Sequence, residues 1–233
     1  LAIILPTYCE AENIENLIQE LLNSIPNATI IVIDDSSPDG TAEVVRRLQK
    51  QNKNILLHVR TAKFGLGTAI TTGFHLALSL PNPPQYIITM DADYSHSPRN
   101  IPKLLKEAEN GNDLVIGSRY AKGGKIVGWS PIRLIISRIA NTIAFTVIKT
   151  RINDFTSGFR CYSARCLNSV LPHLHSQTYE IQIETIRQAA NMKLKIKETP
   201  VTFTNRKTGK SKLTKTEIQA FLKYILKTLH CSI

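Results

Sequence analysis

Two carboxylates, Asp91 and Asp93, close the apolar run Tyr86, Ile87, Ile88, Thr89, Met90 and bracket the small Ala92. Acidic side chains at i and i+2 beyond a strand can reach one hard cation, and Mg2+ or Mn2+ prefers oxygen ligands, with water or phosphate completing its shell. The chemistry such a pair serves is the holding of a metal-bound diphosphate. Acidic residues also end strands as plain turn formers, Asp91 as a cap and Asp93 as a solvated side chain, so the pair gains meaning only from its neighbours.

The neighbours repeat the arrangement. Leu1 to Leu5 is a continuous apolar run stopped by Pro6, Thr7 and Tyr8, and a helical pattern follows at Ile14, Leu17, Ile18, Leu21 and Leu22. Thr29 to Ile33 is a second β-branched strand that ends in Asp34 to Thr41, where Thr41 is placed to cap a helix carrying Val44, Val45 and Leu48. Ile55 to Val59 reads as a third strand, Lys63 to Thr68 as a glycine-containing loop and Thr68 to Leu80 as a helix, before Tyr86 to Met90 forms the fourth strand. Strands alternating with helices predict a parallel α/β sheet with right-handed crossovers. Ligands of such sheets gather beyond the carboxyl ends of the strands, where polar clusters recur four times in this chain.

The second half is less regular. A short helix is expected over Pro102 to Glu109, a strand over Leu114 to Ile116, a basic glycine-rich loop over Lys122 to Gly128 and a mostly apolar helix over Ile132 to Ile148. A loop holding Ser157 and Gly158 runs from Asp154 to Arg160, and Ile181 to Ala190 is helical. Ile218, Phe221, Leu222, Ile225 and Leu229 share one face of a basic C-terminal helix.

Composition narrows the partners. The 233 residues suit one α/β domain, and 29 Lys plus Arg against 18 Asp plus Glu leave a formal charge of +11, which calls for a polyanion. Nucleic acid is disfavoured, because no aromatic residue is interleaved in the basic run Asn205 to Lys212 and acidic strand ends would repel a phosphate backbone. The four cysteines lack paired zinc spacing and read as thiols of a reducing compartment. No leader pattern precedes Pro6, and no charge-free apolar stretch reaches the roughly 18 residues that a membrane span requires, so membrane contact is expected to be peripheral.

Seven motifs together resemble the family 2 inverting glycosyltransferases, and among them the dolichyl-phosphate mannosyltransferase-like polyprenyl-phosphate sugar transferases. The likeness runs from Leu1 to about Leu213. It rests on Leu5 to Tyr8 with Glu10, VIDDSSPDGT from Val32, Lys63 with Gly65 to Gly67, DADYSHSP from Asp91, GSRY from Gly117, DFTSGFRCY from Asp154 and RKTGKSKL from Arg206. The resemblance implies a single GT-A (Rossmann-like) domain over residues 1–212, with a mostly parallel sheet flanked by helices and the amphipathic helix 213–233 appended. Residues 1–116 would bind a nucleotide sugar and 117–212 the acceptor. Pro6, Tyr8, Glu10, Asp35, Asp39, Lys63, Asp91 and Ala92 would line the donor site, and Asp91 and Asp93 would hold Mg2+ or Mn2+. Asp93 and Arg119 would be catalytic, and Arg119, Arg133, Arg206 and Lys212 would meet the acceptor phosphate.

The implied reaction is transfer of a hexose, mannose from GDP-mannose first and glucose from UDP-glucose second, to a polyprenyl or dolichyl phosphate on the cytoplasmic face of a membrane. A membrane-embedded partner protein belongs to the same expectation, and a soluble acceptor is the alternative within enzymes. A phosphate monoester is already an anion at neutral pH, so no strong general base is required. Ser95 departs from the pattern, standing where some members present a longer amide that helps bind metal.

Overall fold

The computed structural model describes residues 1–205, 220, 223–226 and 228. In chain order the elements begin β1 (Ala2–Thr7), α1 (Ala11–Ser24), β2 (Thr29–Asp34), α2 (Thr41–Gln51), β3 (Ile55–Val59), α3 (Leu66–Leu78), β4 (Tyr86–Thr89), α4 (Ile101–Glu109) and β5 (Leu114–Ser118). They continue with β6 (Lys125–Val127), α5 (Pro131–Ile148), β7 (Arg160–Ser163), α6 (Ala164–Val170), α7 (Ile181–Asn191), β8 (Ile196–Pro200) and β9 (Thr202–Thr204).

Seven strands form one sheet in the order β3-β2-β1-β4-β7-β5-β8, and β6 pairs with β9 in a small parallel ladder of its own. Among the described residues only β7 runs antiparallel in the large sheet, inserted between β4 and β5. The expected loop over Asp154 to Arg160 therefore gives way to a strand at Arg160, and part of the expected loop Lys122 to Gly128 is β6. Neither was visible as a periodic run, because four and three residues are too short to show an alternation.

Alternation along the strands sorts the core into two layers. Ile30, Val32, Ile3, Leu5, Ile88 and Val115 pack with Leu17, Ile18, Val45 and Leu104 of α1, α2 and α4. Ile31, Ile33, Ile4, Ile87 and Ile116 face the other way, onto Ile70 and Phe74 of α3 and Leu167, Ile183 and Ile186 of α6 and α7. The near-continuous apolar strands follow from burial on both faces.

The chain runs from β1 outward through β2 to β3, then returns to place β4 on the other side of β1. The ladder of β1 with β2 extends from Ala2 to Thr7, whereas that with β4 covers only Ala2 to Ile4. Pro6, with no N–H to donate, lies past the last β4 partner. A crevice opens where the two strands part.

α5 holds Arg133 and Arg138, so it is not a charge-free stretch. Its 18 residues are long and apolar enough, by length and composition, to cross a membrane. It nevertheless packs on this domain, with Asn141 and Ala144 buried and Ile132, Ile135, Ile136 and Ile139 exposed.

Phe74 is fully buried and meets Tyr162 edge-on, 5.1 Å between ring centroids. Phe74→Ala should cost about 3–5 kcal/mol, read as a lower urea midpoint with unchanged slope, because removing a ring packed between α3 and β7 leaves a cavity in the core.

Candidate functional site

At the end of β1, Thr7 donates through Oγ1 to Asp34 Oδ1 (2.8 Å), and Asp34 also accepts from Ser37 N and Ser37 Oγ at 2.9 and 2.6 Å. Ser37 Oγ in turn accepts from Cys9 N (2.9 Å), where Cys9 takes the left-handed φ of 56°. Thr41 Oγ1 accepts from Glu10 N (2.9 Å). The first two strand-end loops are thus tied to each other through side chains of the second.

Asp39 belongs to that brace. Its Oδ1 accepts from Thr41 N and Oγ1 at 3.1 and 2.6 Å, and its Oδ2 from Ala11 N at 3.0 Å. Partial burial works against its charge, but the bonds from Thr41 and Ala11 outweigh it and hold the carboxyl below its ordinary value. Asp39 therefore sits at the start of α1 and α2, where a carboxylate suits the helix dipoles, and not among the cavity residues with which it was grouped from sequence.

The crevice between β1 and β4 holds a cavity lined by Pro6, Thr7, Tyr8, Glu10, Asp35, Lys63, Gly65, Leu66, Ala69, Asp91, Ala92, Asp93, Thr178 and Tyr179. Eight residues singled out from sequence converge here. Asp35 is ion-paired with Arg60, both almost completely buried, and Arg60 also donates to Thr68 Oγ1 (2.6 Å) and Gly65 O (3.0 Å). Lys63 Nζ stands 4.1 Å from the centroid of the Tyr8 ring. Sequence reading missed Arg60, whose position one residue past β3 marks it only once its partner is known.

Asp91 and Asp93 differ in exposure. The Asp91 side chain is 39% exposed, while Asp93 is 4% exposed and accepts from Ser95 N at 3.0 Å. Asp91 N donates to His96 Nδ1 (3.3 Å), and the His96 ring stacks on Phe159 and meets Phe203 edge-on, at centroid distances of 5.1 and 5.3 Å. Burial lowers the His96 pKa against the pull of Asp91 and Asp93, leaving a neutral imidazole that braces the turn. Ser95 Oγ is buried without a hydrogen-bond partner, an orphaned oxygen in the same turn as the two carboxylates. Two carboxylates and a hydroxyl are an oxygen donor set that fits a hard divalent cation. Among the described residues, no group of three or more His, Cys, Asp and Glu could hold a metal, so the fit relies on these oxygens and a ligand's phosphates.

Arg119 and Arg133 lie outside the cavity lining, on the side of α5 and β9. Asp154, fully buried, accepts from Arg119 N (2.9 Å), Nε (2.8 Å) and Nη2 (2.6 Å). Burial opposes both charges, yet each partner restores the other: Arg119 holds the Asp154 carboxyl below its ordinary value and Asp154 raises the guanidinium. Arg119, expected from sequence to act in catalysis and at the acceptor phosphate, is thus held by a buried carboxylate in this structure. Trp129 lies beside both arginines, its ring 5.2 Å from Arg119 Cζ and 4.0 Å from Arg133 Cζ, and Arg133 Nη1 donates to Asn205 Oδ1 (3.2 Å). Arg206 and Lys212 lie outside the described residues, as does most of the C-terminal helix expected over 213–233.

A second cavity, around Lys149, Arg151 and Asn191 at the end of α5, has no carboxylate in its wall and none of the residues marked by sequence. Cys161 and Cys166 are buried, with thiols pushed up to about 12, and are inert core residues.

The model of glycosyl transferase family 2 matches residues 2–171. The chain belongs to that family. A polyprenol monophosphomannose synthase of Mycolicibacterium smegmatis is 36% identical over 220 residues, covering 93% of this chain and 82% of the relative. An undecaprenyl-phosphate mannosyltransferase of Micrococcus luteus is 35% identical over 211 residues, covering 90% and 86%. Among solved structures, glucosyl-3-phosphoglycerate synthase of Mycobacterium tuberculosis, in complex with Mn2+, UDP-glucose and phosphoglyceric acid, superposes with a TM-score of 0.70 at 17% identity. That match covers 98% of this chain and 77% of the synthase, and it shows the shared GT-A fold.

In this glycosyltransferase the Asp154–Arg119 pair joins the loop before β7 to the end of β5, so its loss should be felt by the whole sheet edge. Asp154→Asn should destabilise by about 3–5 kcal/mol, because one buried charge is left unmatched. Since the folded pKa of Asp154 is depressed, the pair's contribution is complete above the ordinary carboxyl value of about 4 and is lost as pH falls through the lower folded value. Urea midpoints measured from pH 7 down to pH 2 should fall steeply in the wild type and less steeply in Asp154→Asn.

Proposed function

We propose that this family 2 glycosyltransferase moves a mannosyl residue from GDP-mannose to a polyprenyl phosphate at the cytoplasmic surface of a membrane, with inversion at the sugar carbon. The observation that carries the proposal is the convergence of Asp91 and Asp93 with Pro6, Tyr8, Asp35 and Lys63 on one cavity at the crevice of the sheet. Mannose and polyprenyl phosphate come from the names of the two relatives at 36% and 35% identity.

Asp91 and Asp93 would hold Mg2+ or Mn2+, which when bound neutralises the charge that develops on a leaving diphosphate. The carboxylates need no proton to do so. Tyr8 and Lys63 offer a ring and an ammonium on one wall, and Asp35, fixed by Arg60, offers an acceptor for base or ribose. In the transfer an acceptor phosphate oxygen forms the new bond to the sugar carbon while the bond from that carbon to the donor phosphate breaks, its electron pair leaving with the diphosphate. The acceptor is anionic at the outset, so no residue has to remove a proton. Positive charge around it would come from Arg133, beside Trp129, with the paired Arg119 behind. Residues 1–116 supply most of the donor cavity, but Thr178 and Tyr179 come from the acceptor half, so the halves share one site.

The membrane side of the reading rests on α5. Ile132, Ile135, Ile136 and Ile139 fall at i, i+3, i+4 and i+7 and are 44–71% exposed, while the chain as a whole carries a charge of +11. An apolar stripe on a basic protein suits the boundary of a bilayer with anionic headgroups.

Purified protein should release GDP from GDP-mannose only with Mg2+ or Mn2+ and polyprenyl phosphate, and Asp91→Asn or Asp93→Asn should lower kcat by about 100-fold or more, equivalent to about 3 kcal/mol. Turnover of UDP-glucose in preference would replace the donor, and a metal-independent signal would refute the site. Replacing Ile135 and Ile139 together by Glu should cut co-sedimentation with anionic liposomes by about tenfold or more, given roughly 1.5–3 kcal/mol per buried Ile, while turnover of a short water-soluble isoprenyl phosphate persists.

A further inference from the structure

Thr178 and Tyr179 enter the cavity from a loop whose backbone is held in an unusual way. Four consecutive backbone N–H groups point at two carboxylates. His175 N and Ser176 N donate to Glu184 Oε2 at 3.0 and 2.9 Å, and Gln177 N and Thr178 N donate to Glu180 Oε1, both at 3.1 Å. The Thr178 hydroxyl donates to Glu180 Oε2. Glu180 is 8% exposed and Glu184 4% exposed, at the start of α7, where its dipole favours negative charge.

With its amides turned toward the carboxylates, the loop presents carbonyls to the start of α3. Gln177 O accepts from Gly67 N at 2.8 Å and Thr68 N at 3.3 Å. The approach is possible only without side chains on α3: a Cβ at Gly67 would lie 2.3 Å from Ser176 O, and one at Gly65, whose φ is 99°, would lie 2.6 Å from Gln177 O. Gly65 also donates to Asp35 Oδ2 (3.3 Å), so the clasp connects Glu180 and Glu184 with the Asp35–Arg60 pair. Packing alone does not call for buried carboxylates, which are costly unless each is matched by hydrogen bonds. Here their acceptor capacity is spent on one loop.

We propose that Glu180 and Glu184 are positioning residues for the donor, fixing loop 175–179 against the first turn of α3 so that Thr178 and Tyr179 form a rigid wall of the cavity. The proposal rests on the reading of that cavity as the nucleotide-sugar site. Because Thr178 and Tyr179 line the cavity read as the donor site, loosening that wall should weaken donor binding while leaving the assembled reaction largely intact.

Glu180→Ala and Glu184→Ala should each raise KM for GDP-mannose about tenfold, with kcat and the KM for isoprenyl phosphate within about twofold of wild type. Glu180→Gln keeps an oxygen able to accept from Gln177 N and Thr178 N and should restore the donor KM. Thr178→Val removes one bond of the clasp at constant shape and should raise donor KM by a smaller factor; it carries the test if an alanine variant does not fold. Unchanged donor KM in the variants, or a parallel fall of kcat with a rise of both KM values, would overturn the positioning role while leaving the donor site standing. Absence of any nucleotide-sugar turnover in the wild type would overturn both.

Discussion

β1 keeps its ladder with β2 as far as Thr7 but pairs with β4 only to Ile4, and the two central strands part at their carboxyl ends. The parting arises from topology: successive strands are laid outward on one side of β1, then the chain crosses back to lay β4 on the other. Two fully buried apolar layers hold the strands rigid behind the parting, so the residues just past the ladder can be polar, ordered and close together. The cavity, the carboxylate pair and the glycine-rich start of α3 all depend on this one break in pairing.

Acidic residues cluster at the break, and their surroundings divide them into different tasks. Asp34 and Asp39 spend their oxygens on backbone and hydroxyl donors of neighbouring loops. Asp35 is matched by Arg60, and Asp154 by Arg119. Glu180 and Glu184 hold a loop. Asp91 and Asp93 alone in this set face the cavity together from one turn, beside the unpartnered hydroxyl of Ser95. A buried carboxylate is tolerable only where donors or cations match it, and the bonds that match Asp34, Asp35, Asp39, Asp154, Glu180 and Glu184 also build the walls of the site.

The side of the domain around Arg119 and Arg133 is organised by aromatic rings as much as by charge. His96, Phe159, Phe203 and Trp129 make a chain of contacts from the Asp91 turn to Arg119 and Arg133 at the start of α5. Flat faces beside guanidinium groups hold them in place without neutralising them. The same helix that carries Arg133 turns its isoleucines to the outside, so a guanidinium and an apolar surface are presented by one element.

Much of the fold was legible because both faces of the sheet are buried: β1 to β4 read directly as apolar runs, and the strand-end clusters placed the site residues at one edge. Seven short motifs in order were enough to name a family. β7 and β6 were not legible, since their pairing partners are distant in sequence and their runs too short to show a period. The partners of Asp35 and Asp154, and the removal of Asp39 from the cavity, were equally hidden, because a motif records which residue is present and not what it touches. Sequence by itself determined the layered architecture and the set of candidate groups, through hydrophobic periodicity and local turn chemistry. Tertiary structure alone decided which carboxylates are matched and which face the cavity, and brought Thr178 and Tyr179 to a site built mainly by the first half. Those outcomes depend on contacts between segments about 25 to 170 residues apart, and no local pattern encodes contacts of that range.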